Sequence, residues 1–547
     1  SIVYFKTETS QVNAAESECP SCGNVETDDI LQLIETKEVT EDGHQGTERQ
    51  VQPTEWYDRY RRSMMPVLQG IPPKIGLPAN QFMVPGQLSQ FITFFKRNIL
   101  RKLSDRQYMV INLLESPLLA LILSYLSKYS PDGTYLFAYN KNIPVFLFMS
   151  VVVALFMGLT VSAEEIFKDR KILERQKYLD ISRASNLGSK IAFLFWLSAL
   201  QTLTFVVIAG LVLDIDGMLW RYWLILFSVS CFGNMTGLNI SAGMKSVVSI
   251  YILIPLILVP QLLLGGAMIK YDDLHKTITR KIWVPVVGDM MTTRWAYEAM
   301  TVEQFRSNRY ERLFFDIDMK VSHNDWQASF LVPLLQQKSM ECYFAGNMPQ
   351  YGQHLENNLY KLNKYIPELS AVAGWDPSQV LKNINSHVYD SAVNANVLNW
   401  LDSLQGYYRT ETILATIERD SMVTRIERAN SLDYLVNLKL DYHNEFLSDI
   451  LLNNNSTEKV YENDELIIQK ADPVFMTPFS KIGRAHMFSP YKLLGRFRIS
   501  TLWFNTAVIW IMCFILGITL YFNTLQKIVT FFERRWFRFR GLPLRYK

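Results

Sequence analysis

The 547-residue chain is poor in cysteine, with five in all: Cys19, Cys22, Cys231, Cys342 and Cys513. A secreted fold stapled by disulfides uses more of them, spread more evenly, so that class is excluded. Charge of one sign is also scarce. A formal net charge of +3 gives no reason to expect a nucleic-acid partner. No secretory signal opens the chain; Ser1, Ile2, Val3, Tyr4 and Phe5 read as the middle of a domain, and a fragment or a trimmed N-terminus is expected. The pattern Gly-x-x-x-x-Gly-Lys-Ser/Thr is absent, and with it the amides and lysine that cradle phosphates. His323, His354, His387, His443 and His486 are widely spaced with no His-Glu-x-x-His, and no serine sits in a nucleophile motif. Catalysis by this chain is not expected.

What the chain does have is long apolar runs. A mean hydropathy of +0.04 suits a chain partly embedded in lipid and partly in water. Crossing a bilayer as a helix takes roughly 20 mostly apolar residues. Segments near 108–126, 143–163, 191–213, 219–240 and 247–269 qualify, and a sixth follows at 501–523. In lipid every backbone amide needs a partner within its own segment, so these are predicted helices. Basic residues cluster before the first run (Lys96, Arg97, Arg101, Lys102, Arg106), between the second and third (Lys168, Arg170, Lys171, Arg175, Lys177, Arg183, Lys190) and after the sixth (Arg534, Arg535, Arg538, Arg540). With basic loops inside, both termini are cytoplasmic and six spans alternate.

Other stretches divide the chain. Residues 1–85 are mixed polar, and 69–85, with Pro72, Pro73, Pro78 and Pro85, read as a linker. At 86–107, Phe91, Phe94, Phe95, Ile99 and Leu103 recur at helical spacing among basic residues. Such a helix lies along an anionic membrane surface; an ordinary surface helix is the plainer alternative. The apolar stretch 282–300, interrupted by Pro285, Gly288 and Asp289, reads as a re-entrant or interfacial element. Residues 305–498 show helical period near 326–338, 352–366, 391–404 and 408–452 and almost no strand alternation, so a mostly helical external domain is expected.

Three stretches resemble the ABCG (White-type) subfamily of ABC exporters. The first comprises Val3-Tyr4-Phe5, Cys19-Pro20-Ser21-Cys22-Gly23-Asn24 and Asp28-Asp29-Ile30-Leu31, similar to the tail of that family's ATP-binding domain. The second runs from Glu164 to Arg175 and on through Ser182-Arg183-Ala184-Ser185 to Ser189-Lys190, similar to the family's elbow. The third is Pro255, Pro260 and Leu264-Gly265-Gly266, then Arg294-Trp295-Ala296-Tyr297-Glu298-Ala299, similar to its fifth span and re-entrant element. The resemblance implies an ABC-2, type V half-transporter membrane domain. It would work as a homodimer with attached ATPase domains that bind ATP and magnesium, moving lipids or other amphipathic compounds. No ABC signature occurs in this sequence, and the ATPase is expected upstream of Ser1. The insertion at 305–498 is far larger than the family's usual external loop. It motivates a second reading: a mechanotransmitter that passes ATP-driven motion to a protein docked outside and moves nothing through its own spans.

The elbow at 164–190 is the first functional candidate. A coupling element must be rigid, charged and cytoplasmic, and Glu165, Lys168, Asp169, Arg170, Glu174 and Arg175 supply alternating signs. The positive-inside rule accounts for the cations but not for the acids. Asn112 and Glu115 in the first span serve either pairing or transport. Asn234 and Asn239 in the fourth, beside Cys231, Gly233 and Gly237, suit helix packing or a substrate path. Pro260 and Gln261 mark a bend in the fifth, and Arg294 and Glu298 lie in the re-entrant element. Cys19 and Cys22 make half a zinc site. A zinc shared between subunits, a site completed by another domain and plain cysteines all stay open.

Overall fold

The computed structural model describes residues 2–9, 31, 34–39, 45–70, 85–130, 133–170, 172, 181–279, 281–345, 352–384 and 389–539. The chain divides into two units, Ser1–Met83 and Val84–Lys547. In the first, the helix Ile2–Glu8 lays Phe5 edge-on to Trp56, with ring centres 5.2 Å apart, on the helix Pro53–Ser63. Proline at the first turn suits that start, since its missing N–H would have no helical partner anyway. A hairpin pairs Lys37–Val39 with Gln45–Arg49.

The second unit is mostly helical. It begins with α1 (Gln87–Ser104) and α2 (Arg106–Ser127), separated at Asp105, whose carboxylate accepts from the Tyr108 amide at 3.0 Å and caps α2. Then come α3 (Ile143–Ser162), α4 (Arg183–Leu213), α5 (Leu219–Gly243), α6 (Val247–Leu263) and α7 (Thr292–Arg306). After the inserted residues, α15 (Thr501–Tyr521) and α16 (Thr524–Phe539) close the described chain. Among the described residues, five helices are long and apolar enough to cross a membrane: α2, α3 with the turn that follows it, α4, α5 and α15.

α6 differs from the expected fifth span at 247–269. It is apolar but stops at Leu263 after 17 residues, about 25 Å of helix against a hydrocarbon core of roughly 30 Å. Gly266 has φ of 80°, and a Cβ on Gly265 would lie 2.6 Å from the Phe148 ring. Backbone turns away there because the neighbouring helix leaves room only for glycine. α4 starts eight residues before the expected third span, so the elbow's last third is the first two turns of that helix. α7 runs to Arg306 rather than ending near residue 300, and 14 of its 15 residues are buried.

The tightest crossing joins α3 to α5. A Cβ on Gly158 would sit 2.2 Å from the Ser230 carbonyl, and one on Gly237 would sit 2.8 Å from the Leu159 carbonyl. Gly233 and Gly237 are a small-xxx-small pair of the kind that lets apolar helices approach backbone to backbone.

Between α7 and α15 lie α8 (Glu311–Trp326), α9 (Val332–Ala345), α10 (Gly352–Ala373), α11 (Ser378–Ile384), α12 (Ser391–Asn430), α13 (Leu432–Tyr442) and α14 (Glu445–Leu451). Two short hairpins accompany these helices. β1 (Val460–Glu462) pairs with β2 (Ile467–Gln469), and β3 (Tyr491–Leu494) with β4 (Phe497–Ser500) around Gly495. Both strand pairs are too short to show alternation against their surroundings. The helical run read at 408–452 is three helices, because the chain breaks at Ser431 and again before Glu445. This insertion has two cores. Phe315, Leu447, Leu451 and Phe475 join the core of the spans, whereas Leu335, Leu362, Ile366, Leu401 and Tyr408 form a separate one.

Candidate functional site

The elbow begins as a single helical turn, Glu165–Lys168, docked on the end of α5. Ser241 Oγ accepts from the amides of Ile166 and Phe167 at 3.0 and 2.9 Å, satisfying donors a helix start leaves free. Arg170 donates to the carbonyls of Ala242 and Met244 at 3.3 and 2.9 Å, where the last carbonyls of α5 favour a cation.

Two of the elbow's carboxylates are buried. Glu165 is 7% exposed and Asp169 6%. Three cations converge on them from two other helices. Lys102 Nζ of α1 donates to Glu165 at 2.7 Å, Arg101 of α1 donates to Asp169 at 2.7 Å, and Lys190 of α4 pairs with Asp169. Asn98 of α1 donates to Ser189 Oγ of α4 at 3.1 Å on the same face. Burial pulls the Asp169 carboxyl upward, but Lys190 and Arg101 outweigh it and hold the group below the usual carboxylate range. Burial pushes Lys102 below the usual lysine value, against the pull of Glu165. The cluster locks α1, the elbow and α4 into one charged knot. Moving any one of them against the others would expose or strand a buried charge, which costs several kcal/mol.

Lys168, by contrast, is exposed and pairs with Glu164 at 2.6 Å. Glu164 also accepts from the Tyr251 hydroxyl of α6 at 2.7 Å. Glu174 and Arg175 lie outside the described residues, as do Cys19 and Cys22. Nothing in the sequence marks Arg101, Lys102 and Lys190 as partners of the elbow's carboxylates. Their partners lie 21 to 68 residues away in the chain, a separation that no local pattern reports.

A second knot sits on α7. Glu298 is fully buried and accepts from Lys492 Nζ of β3 at 2.7 Å, from the Phe488 amide at 3.0 Å and from Asn505 of α15 at 2.9 Å. Arg294 is 1% exposed, lies over the Trp295 ring at 3.9 Å, and pairs with Asp289 and Glu298 at 3.7 and 3.6 Å. Lys492 and Asn505 had no sequence signal of their own.

The remaining candidates join helices. Asn112 donates to the Tyr108 carbonyl at 2.8 Å, and its own carbonyl accepts from Gln201 of α4 at 2.9 Å. Asn234 donates to Ser198 of α4 at 2.7 Å, and Asn239 donates to the Leu516 carbonyl of α15 at 2.9 Å. Gln261, one residue past Pro260 in α6, accepts from the Thr293 amide and hydroxyl at 3.1 and 3.0 Å. Glu115 is half-buried with no hydrogen bond or ion pair among the described residues.

Residues 89–305 match the family model described as ABC-2 type transporter. They form an ABC-2 type transporter membrane domain. No curated protein matches the chain significantly. The ABC-2 domain takes in α1 to α7, hence the whole elbow knot and the α7 half of the second one. Lys492 and Asn505 come from residues outside it. With several apolar helices and this domain, the chain is a multi-pass membrane protein.

Proposed function

We propose that the chain is the membrane half of an ATP-driven exporter of White type, acting on lipids or other amphipathic compounds. Two copies pair, so that six spans become twelve, with α6 as the shortest. The ATPase, with its ATP and magnesium, belongs to an attached domain. Both termini face the cytoplasm of a bacterial inner membrane, and residues 305–498 face outward. Zinc at Cys19 and Cys22 remains a minor proposal.

The observation that carries this reading is the buried knot of Arg101, Lys102, Glu165, Asp169 and Lys190. A cytoplasmic elbow that merely needed positive charge would leave its carboxylates in water. One that must transmit a push from an ATPase to the spans needs a stiff joint to the helices on either side. α1 then reports movement of the ATPase, and α4 carries it into the membrane.

The mechanotransmitter reading keeps a specific support in the second knot. Lys492 on β3 grips Glu298 on α7, so displacement of α7 passes to the inserted domain without slack. An external protein docked on 305–498 would then receive the motion.

ATP hydrolysis by the chain assembled with its ATPase, in lipid nanodiscs against a panel of amphipathic compounds, separates the two. Stimulation by one class, lost in Asp169→Asn, supports export. A flat response to every compound, with stimulation by a protein bound to 305–498, rejects export in favour of transmission.

A further inference from the structure

At the end of the spans that carries the inserted domain, a cavity of about 500 Å³ opens between α5, α7, α8 and α15. Its size falls within the range of small-molecule sites, roughly 300–1,000 Å³. Three arginines line it, from three different helices: Arg221 of α5, Arg306 of α7 and Arg312 of α8. Two carboxylates join them. Arg221 and Glu303 neutralise each other at 2.7 Å. Arg306 donates to the Pro490 carbonyl at 3.3 Å and rests over the Phe315 ring, with no carboxylate partner among the described residues. Arg312 and Asp316 make no ion pair among the described residues. Two guanidinium groups therefore face one unpaired carboxylate, a net positive pocket with fork-shaped donors that suit phosphate.

The walls say where the ligand comes from. Trp220 and Trp503 flank the cavity at the first turns of α5 and α15, 69% and 62% exposed, where tryptophan marks a membrane interface. From Trp220 an aromatic track runs down the helices into the apolar zone. Trp220 meets Trp223 at 5.1 Å, Trp223 stacks on Phe227 at 5.5 Å, Phe227 meets Trp510 at 6.1 Å, and Trp510 meets Phe195 at 5.8 Å. Along α5 this runs from Trp220 to Phe227, about 10 Å of helix. A free phosphate would have no use for such a track.

We infer that this cavity binds the phosphate-bearing headgroup of a membrane lipid, with Arg306 and Arg312 on the phosphate and an acyl chain lying along Trp223, Phe227 and Trp510. The inference needs only that the helices are embedded in a bilayer. It does not depend on export, so its failure leaves the permease proposal standing. A lipid so placed bridges α5, α15, the end of α7 and the first turn of the inserted domain.

The test is native mass spectrometry of the purified full chain in neutral detergent, titrated with phosphatidylglycerol, with diacylglycerol of the same chains, or with inorganic phosphate. One phosphatidylglycerol is expected to stay bound, at least tenfold tighter than diacylglycerol, and Arg312→Ala should weaken it by about tenfold. Arg312 is exposed, so this variant should fold, and an unchanged melting temperature without lipid checks that it does. Trp223→Ala should weaken the lipid alone. Equal retention of phosphatidylglycerol by wild type and Arg312→Ala overturns the proposal. So does binding of inorganic phosphate as tight as that of the lipid, which would make the pocket a free-anion site.

Discussion

Lys492 and Glu298 meet at 2.7 Å with both side chains wholly withdrawn from solvent, although 193 residues of chain separate them. One belongs to the hairpin that leads into α15, the other to the middle of α7. A charge buried this deeply is tolerable only with its partner in place.

Glu298→Gln should therefore cost about 3–5 kcal/mol of stability, because Lys492 and Arg294 lose the carboxylate that compensates them. A melting curve in detergent checks this. Glu298→Gln combined with Lys492→Met should recover part of the loss, and a pair that contributed nothing would leave both curves where the wild type lies.

Asp169→Asn should separate folding from coupling. Lys190 keeps the Glu165 carbonyl at 3.3 Å, and Arg101 keeps Glu165 at 3.6 Å, so the helices stay docked, although Lys190 loses its buried carboxylate at a cost of about 3–5 kcal/mol. The knot is loosened, however, and substrate stimulation of an assembled ATPase should fall by most of its value while basal hydrolysis persists. Stimulation equal to wild type would remove the elbow from the coupling path.

Gly158→Ala should be among the most damaging single methyl groups the chain can receive. Its Cβ would lie 2.2 Å from the Ser230 carbonyl, an atom of backbone that cannot swing aside. A loss of about 1–3 kcal/mol follows from overpacking, read as a lower yield of monodisperse protein and a lower melting temperature. Gly406→Ala, where a Cβ meets nothing within 4 Å, is the matched control.

Acid should destabilise the inserted domain through His486. Its Nε2 lies 2.8 Å from the Pro473 carbonyl, and burial, aided by nearby Lys492, lowers its pKa from 6.5 to about 4. The folded protein thus keeps the ring neutral while the unfolded chain takes up a proton near 6.5. Stability from this residue is complete above about pH 6.5 and is lost as pH falls toward 4. A melting temperature about 2–4 °C lower at pH 5 than at pH 7 is expected from it. His486→Gln should shrink that difference.

Much of the membrane architecture is legible in the sequence because lipid imposes one rule on every span: unbroken apolar helix. α2, α3, α5 and α15 appear close to where hydropathy sets them. α6 is misjudged because Leu264, Met268 and Ile269 are apolar enough to extend the count, while the turn at Gly265 and Gly266 is dictated by Phe148 and Tyr271, which touch them only in the fold. The acids of the elbow were visible as an excess the positive-inside rule does not explain. Their cations were visible too, but which cation meets which acid depends on the packing of α1 against α4. Lys492 is the clearest silence. A single lysine in a polar stretch looks like any other until the chain folds it onto α7.

The glycine seam between α3 and α5 also limits how the molecule can move. Backbones in direct contact have no side-chain layer to shear through, so these two helices travel as one strut. Any working stroke must then bend the molecule along its edges, at α6 with its two prolines and its glycine turn, and at α2, whose outer face few neighbours cover.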